Sequence, residues 1–240
     1  FFIDYPKHIN DLKNYREVIN ILEAFNQNAI LIKRKRNLGL KQNIISGINY
    51  VLDRYENVIV LEDDLQVSPN FINFINKALN YYKNEKNIIS ISGFGLSNEN
   101  LNNLNTKKDF YLNHRFPSWG WATWKSKWPQ HILKLNIDEL KNDNLTELNK
   151  YCGNDVKVAV EKILLNELDA WAALTTYYSY INNLFSLYPT NSLVENKGFD
   201  GSGVNGGYSK KISTLKISTG YNAQFTKDIV FDLDIARRHN

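Results

Sequence analysis

The chain has 240 residues, 43% hydrophobic and 22% charged, which supplies one large core and fits a single α/β domain rather than a disordered or fibrous chain. Its formal net charge of +4 is too weak to indicate nucleic acid, and no helix-turn-helix, zinc-finger or RNA-recognition pattern accompanies it. The lone cysteine, Cys152, excludes an internal disulfide framework and a Cys-rich metal site. No run of ~18 to 20 apolar residues offers a membrane span, and nothing at the start resembles a signal peptide.

In chain order, Phe1-Phe2-Ile3-Asp4 reads as a strand already under way. With the absence of Met, this predicts a chain that is N-terminally incomplete or one whose methionines are not represented. Leu12, Tyr15, Ile19, Leu22 and Phe25 mark a helix face, and Ala29 to Ile32 a second strand. The basic run Lys33-Arg34-Lys35-Arg36 is either a solvated strand end or a contact for a diphosphate or an anionic membrane surface. Ile44, Ile45, Ile48, Val51 and Leu52 place the next helix, Val58 to Leu61 the third strand, and Pro69 to Tyr82 the third helix. Ile88 to Ile91 is a fourth strand, ending at Gly93. This alternation predicts an α/β fold with a Rossmann-like, mostly parallel central sheet flanked by helices. After Gly93 the alternation stops. An Asn-rich loop at Asn98 to Asn105, a Trp-rich segment, one or two helices between Asp155 and Asn183, a Phe185 to Tyr188 strand and a Gly-rich loop follow. Phe231, Leu233 and Ile235 alternate in a tail that reads as β-rich. The division expected is a strand-helix alternating half over 1–95, a second half over 96–210, and a tail over 211–240.

The chemistry concentrates where Val58-Ile59-Val60-Leu61 runs into Glu62-Asp63-Asp64. Three carboxylates at the end of a buried strand are costly unless a cation or a proton compensates them. Mg²⁺ and Mn²⁺ take oxygen ligands and keep positions open for water and phosphates. A solvated acidic turn is the alternative. Ser68 and Pro69 then form an N-cap and first turn ahead of Phe71, Phe74, Ile75, Ala78, Leu79 and Tyr82 at helical spacing. The acids therefore sit in a strand-loop-helix crossover, where open α/β sheets bind ligands.

The stretch Val60-Leu61-Glu62-Asp63-Asp64-Leu65-Gln66-Val67-Ser68-Pro69-Asn70-Phe71 resembles the acid motif of nucleotide-sugar-dependent glycosyltransferases of the GT-A fold. It is similar to the N-acetylglucosaminyltransferase I-like family and to bacterial family 2-like relatives. The resemblance implies Asp64 as the ligand of a Mn²⁺ (or Mg²⁺) bridging the donor diphosphate, Asp63 near the ribose, and Glu62 orienting the pair. Asp4 ends the first strand, where acids commonly meet a nucleotide, and the matching acid of the relatives lies by uracil; an N-cap is the alternative. Arg36, Asn37 and Gly39, with Asn43, form a second donor-side candidate, although a turn capping the next helix explains the same residues.

Phe116-Pro117-Ser118-Trp119-Gly120-Trp121-Ala122-Thr123-Trp124, followed by Trp128, offers aromatic faces of the kind that stack on sugars. Trp124 and Trp128 read as core. Trp119-Gly120-Trp121 reads as a ligand-facing bend and resembles the Trp-Gly-Trp stretch of bacterial relatives. In Asn166-Glu167-Leu168-Asp169-Ala170-Trp171, the resemblance makes Asp169 the base that deprotonates the acceptor hydroxyl, with Glu167 competing and a helix N-cap as the other reading of Asp169. Gly203 lies in the Gly-rich run Gly198 to Gly207, which closes over a diphosphate or is a plain turn. Asn205 stands near the place of a His in bacterial relatives, leaving Asp64 as the one direct protein ligand expected. The histidines, His8, His114, His131 and His239, lack metal-type spacing.

The reading that follows is a metal-dependent, inverting glycosyltransferase of bacterial surface polysaccharide synthesis, using a UDP-sugar and a glycan or lipid-linked glycan acceptor. No nucleic-acid partner is expected. The expected compartment is the cytoplasm, peripheral at the inner membrane if the basic run meets lipid. A nucleotidyltransferase of similar sheet architecture and a non-catalytic carbohydrate-binding protein are the competing readings.

Overall fold

The computed structural model describes residues 1–25, 28–96, 109–130, 132, 142–165, 167–168, 170–198 and 217–239. β1 (Phe2–Ile3) pairs in parallel with β2 (Ile32–Lys33), with α1 (Leu12–Phe25) between them in sequence. α2 (Leu40–Leu52) leads into β3 (Asn57–Val60), which ends at the acidic turn. β4 (Leu65–Val67) precedes α3 (Phe71–Tyr82), and β5 (Ile88–Ser92) follows. β6 (Phe110–Asn113) and β7 (Trp121–Trp124) flank the Trp-rich bend. Three helices come next, α4 (Asn142–Cys152), α5 (Asn154–Leu164) and α6 (Trp171–Ile181), then β8 (Phe185–Pro189), β9 (Val194–Asn196) and α7 (Leu233–His239).

The central sheet has five strands in the order β3-β7-β5-β8-β6. Here the expectation of a mostly parallel sheet is corrected. Only β5 and β8 pair in parallel; β3 with β7, β7 with β5, and β6 with β8 are antiparallel. β7 separates β3 from β5, so two strands that point the same way are joined through one that points back. The β1–β2 pair belongs to a separate two-stranded sheet. It is held against α2, where a side chain at Gly47 would meet the Phe2 ring at 3.1 Å.

Both sheet faces are covered, as strand-helix alternation implies. On one face, Ile45, Ile48 and Leu52 of α2 pack with Val58, Ile89 and Trp121, and with Leu148, Val160 and Tyr177 from α4, α5 and α6. On the other, α3 presents Phe71, Phe74, Ile75, Ala78, Leu79 and Tyr82, all buried, which is the stripe that the sequence spacing requires. These pack on Ile91, Ala122, Trp124 and Leu187, and on Tyr221 and Phe225 from the tail. Lys127 closes the end of α3, donating to the carbonyls of Tyr82, Glu85 and Ile88 at 3.0, 2.8 and 2.9 Å. A cation at a helix carboxyl end complements the dipole there.

The tail also differs from expectation. Among its described residues there is no strand, and Leu233 to His239 forms α7 instead. Ile235 and Ala236 are buried side by side, which a strand with alternating faces would not allow.

Trp121 carries the largest buried ring in this packing. It is fully buried and lies 4.7 Å from Phe116 and 5.6 Å from Trp171, nearly parallel to the latter. Trp121→Ala is expected to destabilise the fold by about 3–5 kcal/mol, and Trp119→Ala, on a half-buried residue, by less. Urea unfolding of both variants checks this; equal losses would remove Trp121 from its place in the core.

Candidate active site at the carboxyl edge of the sheet

Val60, Ser92 and Pro189 end their strands at one edge of the sheet, and Trp121 enters there opposite both Val60 and Ser92. Gly120 makes that entry possible. Its φ of +58° is left-handed, and a β-carbon there would lie 2.7 Å from Val194 Cγ2 and 3.4 Å from Leu61 Cδ2. Backbone bonds tie the loops of this edge together: Gly93 N donates to Gly120 O at 2.7 Å, Leu193 N to Gly93 O at 2.8 Å, and Ser68 N to Leu193 O at 2.8 Å. The β4–β9 ribbon sits on top, with Leu65 opposite Asn196. The sequence-predicted acid motif and Trp-Gly-Trp bend are thus brought together.

Within the acidic turn the three carboxylates have different surroundings. Asp63 is exposed, while Glu62 and Asp64 are half-buried. Burial, and then the charges of Asp64 and Asp63, push the Glu62 carboxyl up to about 7. Burial and Asp63 also raise Asp64, against a hydrogen bond from the Asn196 side chain that favours its charged form. The Asn196 orientation is set by Gly198, whose N–H donates to Asn196 Oδ1 at 2.7 Å and leaves the amide NH₂ to donate to Asp64. Lys197 N binds the Asp64 carbonyl at 2.8 Å. A side chain at Gly198 would stand 2.6 Å from Asp64 Oδ2, so backbone alone fits against the carboxylate.

The other oxygen, Asp64 Oδ1, is buried and has no hydrogen-bond partner among the described residues. A buried carboxylate oxygen without a donor is expensive. It suits a hard divalent cation that draws its other ligands from a diphosphate and water. Among the described residues no three His, Cys, Asp or Glu side chains form a metal-holding group.

The remaining predicted residues separate into three groups. Asp4, Asn37 and Gly39 converge: the Asp4 carboxylate accepts Leu38 N at 2.8 Å, Gly39 N at 2.9 Å, Tyr5 N at 2.9 Å and the Asn37 amide at 3.3 Å. Asp4 thereby ties β1 to the loop that leads into α2. Arg36 is exposed beside this contact, whereas Arg34 is engaged with Asn43 at 2.9 Å and Ser46 at 2.7 Å. Trp119 is half-buried against Phe94 at 4.8 Å, but Trp121 is corrected from a ligand-facing ring to a core ring, because nothing of it reaches solvent. Glu167 is exposed, its N–H bonded to Lys162 O at 2.8 Å. Asp169, Gly203 and Asn205 lie outside the described residues.

Sequence reasoning missed Asn196. Its only local mark is a place just before the Gly-rich run, and its contact with Asp64 arises from a strand pairing across distant parts of the chain.

Residues 31–134 match the GNT-I family, a family of N-acetylglucosaminyltransferases. The matched span is less than half of the chain. It includes the acid motif and the Trp-Gly-Trp bend and leaves out Asp4, Glu167 and Asp169. This similarity supports a glycosyltransferase, a class that takes a nucleotide-sugar donor and a glycan acceptor. No curated protein matches the chain. No helix among the described residues is long and apolar enough to cross a membrane.

Glu62 gives this site a pH signature. Its carboxyl titrates near 7 when folded against an ordinary 4.5, so the folded state holds a proton that the unfolded state releases. Stability therefore falls as pH rises through that window. Without divalent cation, the wild type should lose more melting temperature between pH 5 and pH 8 than Glu62→Gln does. Parallel profiles for the two proteins would exclude a protonated Glu62.

Proposed function

We propose that the chain is a divalent-cation-dependent, inverting glycosyltransferase that moves a sugar from a UDP-sugar to a hydroxyl of a glycan or lipid-linked glycan, in the assembly of bacterial surface polysaccharide. The observation that carries this reading is the buried Asp64 Oδ1, unpartnered among the described residues, at the edge where Gly120 and Gly198 bring bare backbone close. A bound Mn²⁺ or Mg²⁺ would supply neutralisation of charge on the departing diphosphate.

In this reading Asp64, steadied by Asn196, fixes the diphosphate end of the donor. Asp63, exposed beside it, takes the ribose, and Asp4 with Arg36, Asn37 and Gly39 lies on the base side. Glu62 backs the pair. Trp119, with the backbone at Gly120, borders the sugar, and Gly203 belongs to the loop closing over the diphosphate. Asp169 accepts the proton of the acceptor hydroxyl as its oxygen attacks the anomeric carbon, and UDP leaves with the bonding electron pair. Attack from the face opposite the leaving group inverts the anomeric centre. Glu167 is the competing base. Residues 1–95 serve the donor and 96–210 the acceptor.

Isothermal titration of UDP with and without Mn²⁺ tests the cation assignment. Wild type should bind UDP more tightly with Mn²⁺, and Asp64→Ala should lose that increment while keeping its melting temperature. An increment that survives in Asp64→Ala would remove Asp64 as the ligand.

The base is tested separately. Asp169→Asn keeps the side-chain shape but accepts no proton at neutral pH, so transfer should slow by on the order of 10² to 10⁴ with Mn²⁺-UDP affinity unchanged. Retained transfer in Asp169→Asn with loss in Glu167→Gln would move the base to Glu167.

A further inference from the structure

The opposite edge of the sheet holds a second concave surface that the transfer reaction does not use. β3, β5 and β8 begin there, and β6 ends at Asn113 opposite Ser186, so it is a strand length away from the acidic turn. His114 follows, with Nδ1 held by Leu184 O at 2.8 Å. Around it stand Phe185, ring centroid 4.3 Å away and nearly parallel, Phe231 at 5.0 Å, and Tyr180 at 5.7 Å and edge-on. Tyr151 lies 5.7 Å from Tyr180 and 6.2 Å from Phe231. These rings border a cleft of about 410 Å³ that is also lined by Glu147 and Asn183. That volume falls within the range of small-ligand sites, about 300–1,000 Å³. Asn183 has a left-handed φ of +50° just past the end of α6.

The lining selects among ligand classes. Glu147 disfavours phosphates and carboxylates. A cation is already supplied by the chain, because Lys150 lies 3.5 Å from the Glu147 carboxylate and 5.3 Å from the Tyr151 ring centroid. An apolar peptide would take the Glu147–Lys150 pair and the Asn183 amide out of water while offering them no polar group. A pyranose meets all of it: its C–H face rests on an aromatic ring, and its hydroxyls pair with a carboxylate and an amide.

We propose that this cleft is a second carbohydrate-binding site, which holds a pyranose residue of a glycan away from the reacting edge. The proposal stands on the cleft's own lining and does not need the cation site. It goes beyond the transfer reaction by giving the enzyme a second hold on a sugar chain.

Saturation-transfer NMR on the full chain, with the methyl glycosides of glucose, galactose and N-acetylglucosamine as probes, tests it. At least one glycoside should receive saturation through its ring C–H protons. Tyr180→Ala and Glu147→Gln should each weaken its binding about tenfold, with Mn²⁺-UDP titration unchanged. Both residues reach solvent, and neither belongs to the proposed donor or base machinery. Asp64→Ala should leave the glycoside signal intact, which separates failure of this site from failure of the cation reading. No saturation of any glycoside, binding that persists in both cleft variants, or displacement by equimolar tetramethylammonium chloride would each overturn the proposal.

Discussion

The turn at Gly120 sends Trp121 into the sheet between Val60 and Ser92, and the core and the acidic edge both depend on that register. With Trp121 in place, its ring fills the space between Phe116, Trp128 and Trp171, which draws α6 against the sheet. The same insertion brings Gly120 beside Leu61, the residue that leads into the three acids. Because only a residue without a side chain fits among Val194, Phe71 and Leu61, the bend and the acidic turn share one wall.

Along that wall, burial makes consecutive carboxylates unlike one another. Asp63 faces solvent, Glu62 is driven toward its neutral form, and Asp64 is raised by burial and by Asp63 with the Asn196 hydrogen bond opposing that rise. A strand that ended in three equally solvated acids would carry diffuse negative charge. This one offers a buried oxygen with no donor among the described residues, an electrostatic demand of the kind that suits a cation.

The two edges of the sheet differ in chemistry. The carboxyl edge combines acids, glycines and close-approaching backbone, which suits a charged diphosphate. The opposite edge combines four aromatic rings and an imidazole with one carboxylate and one amide, which suits a neutral ring bearing hydroxyls. The β-strands run between these edges.

What the sequence determined by itself is what local spacing controls. The stripe from Phe71 to Tyr82 is buried as its period demands, and β3 leads straight into Glu62, Asp63 and Asp64 because strand and acids are neighbours in the chain. Tertiary structure alone decided the rest. β7 is buried on both faces and shows no alternation to read, so its insertion, and with it the mostly antiparallel sheet, depends on which strands it meets. Trp119 and Trp121 look alike as letters, yet one is half-buried beside Phe94 and the other is sealed in the core, since neighbours distant in sequence set exposure. Asp4 is engaged by amides of the loop that leads into α2, and Asn196 reaches Asp64 through the β4–β9 ribbon. Both contacts join parts of the chain whose separation no local pattern spans, because pairing between strands follows from the burial of whole faces rather than from adjacent residues.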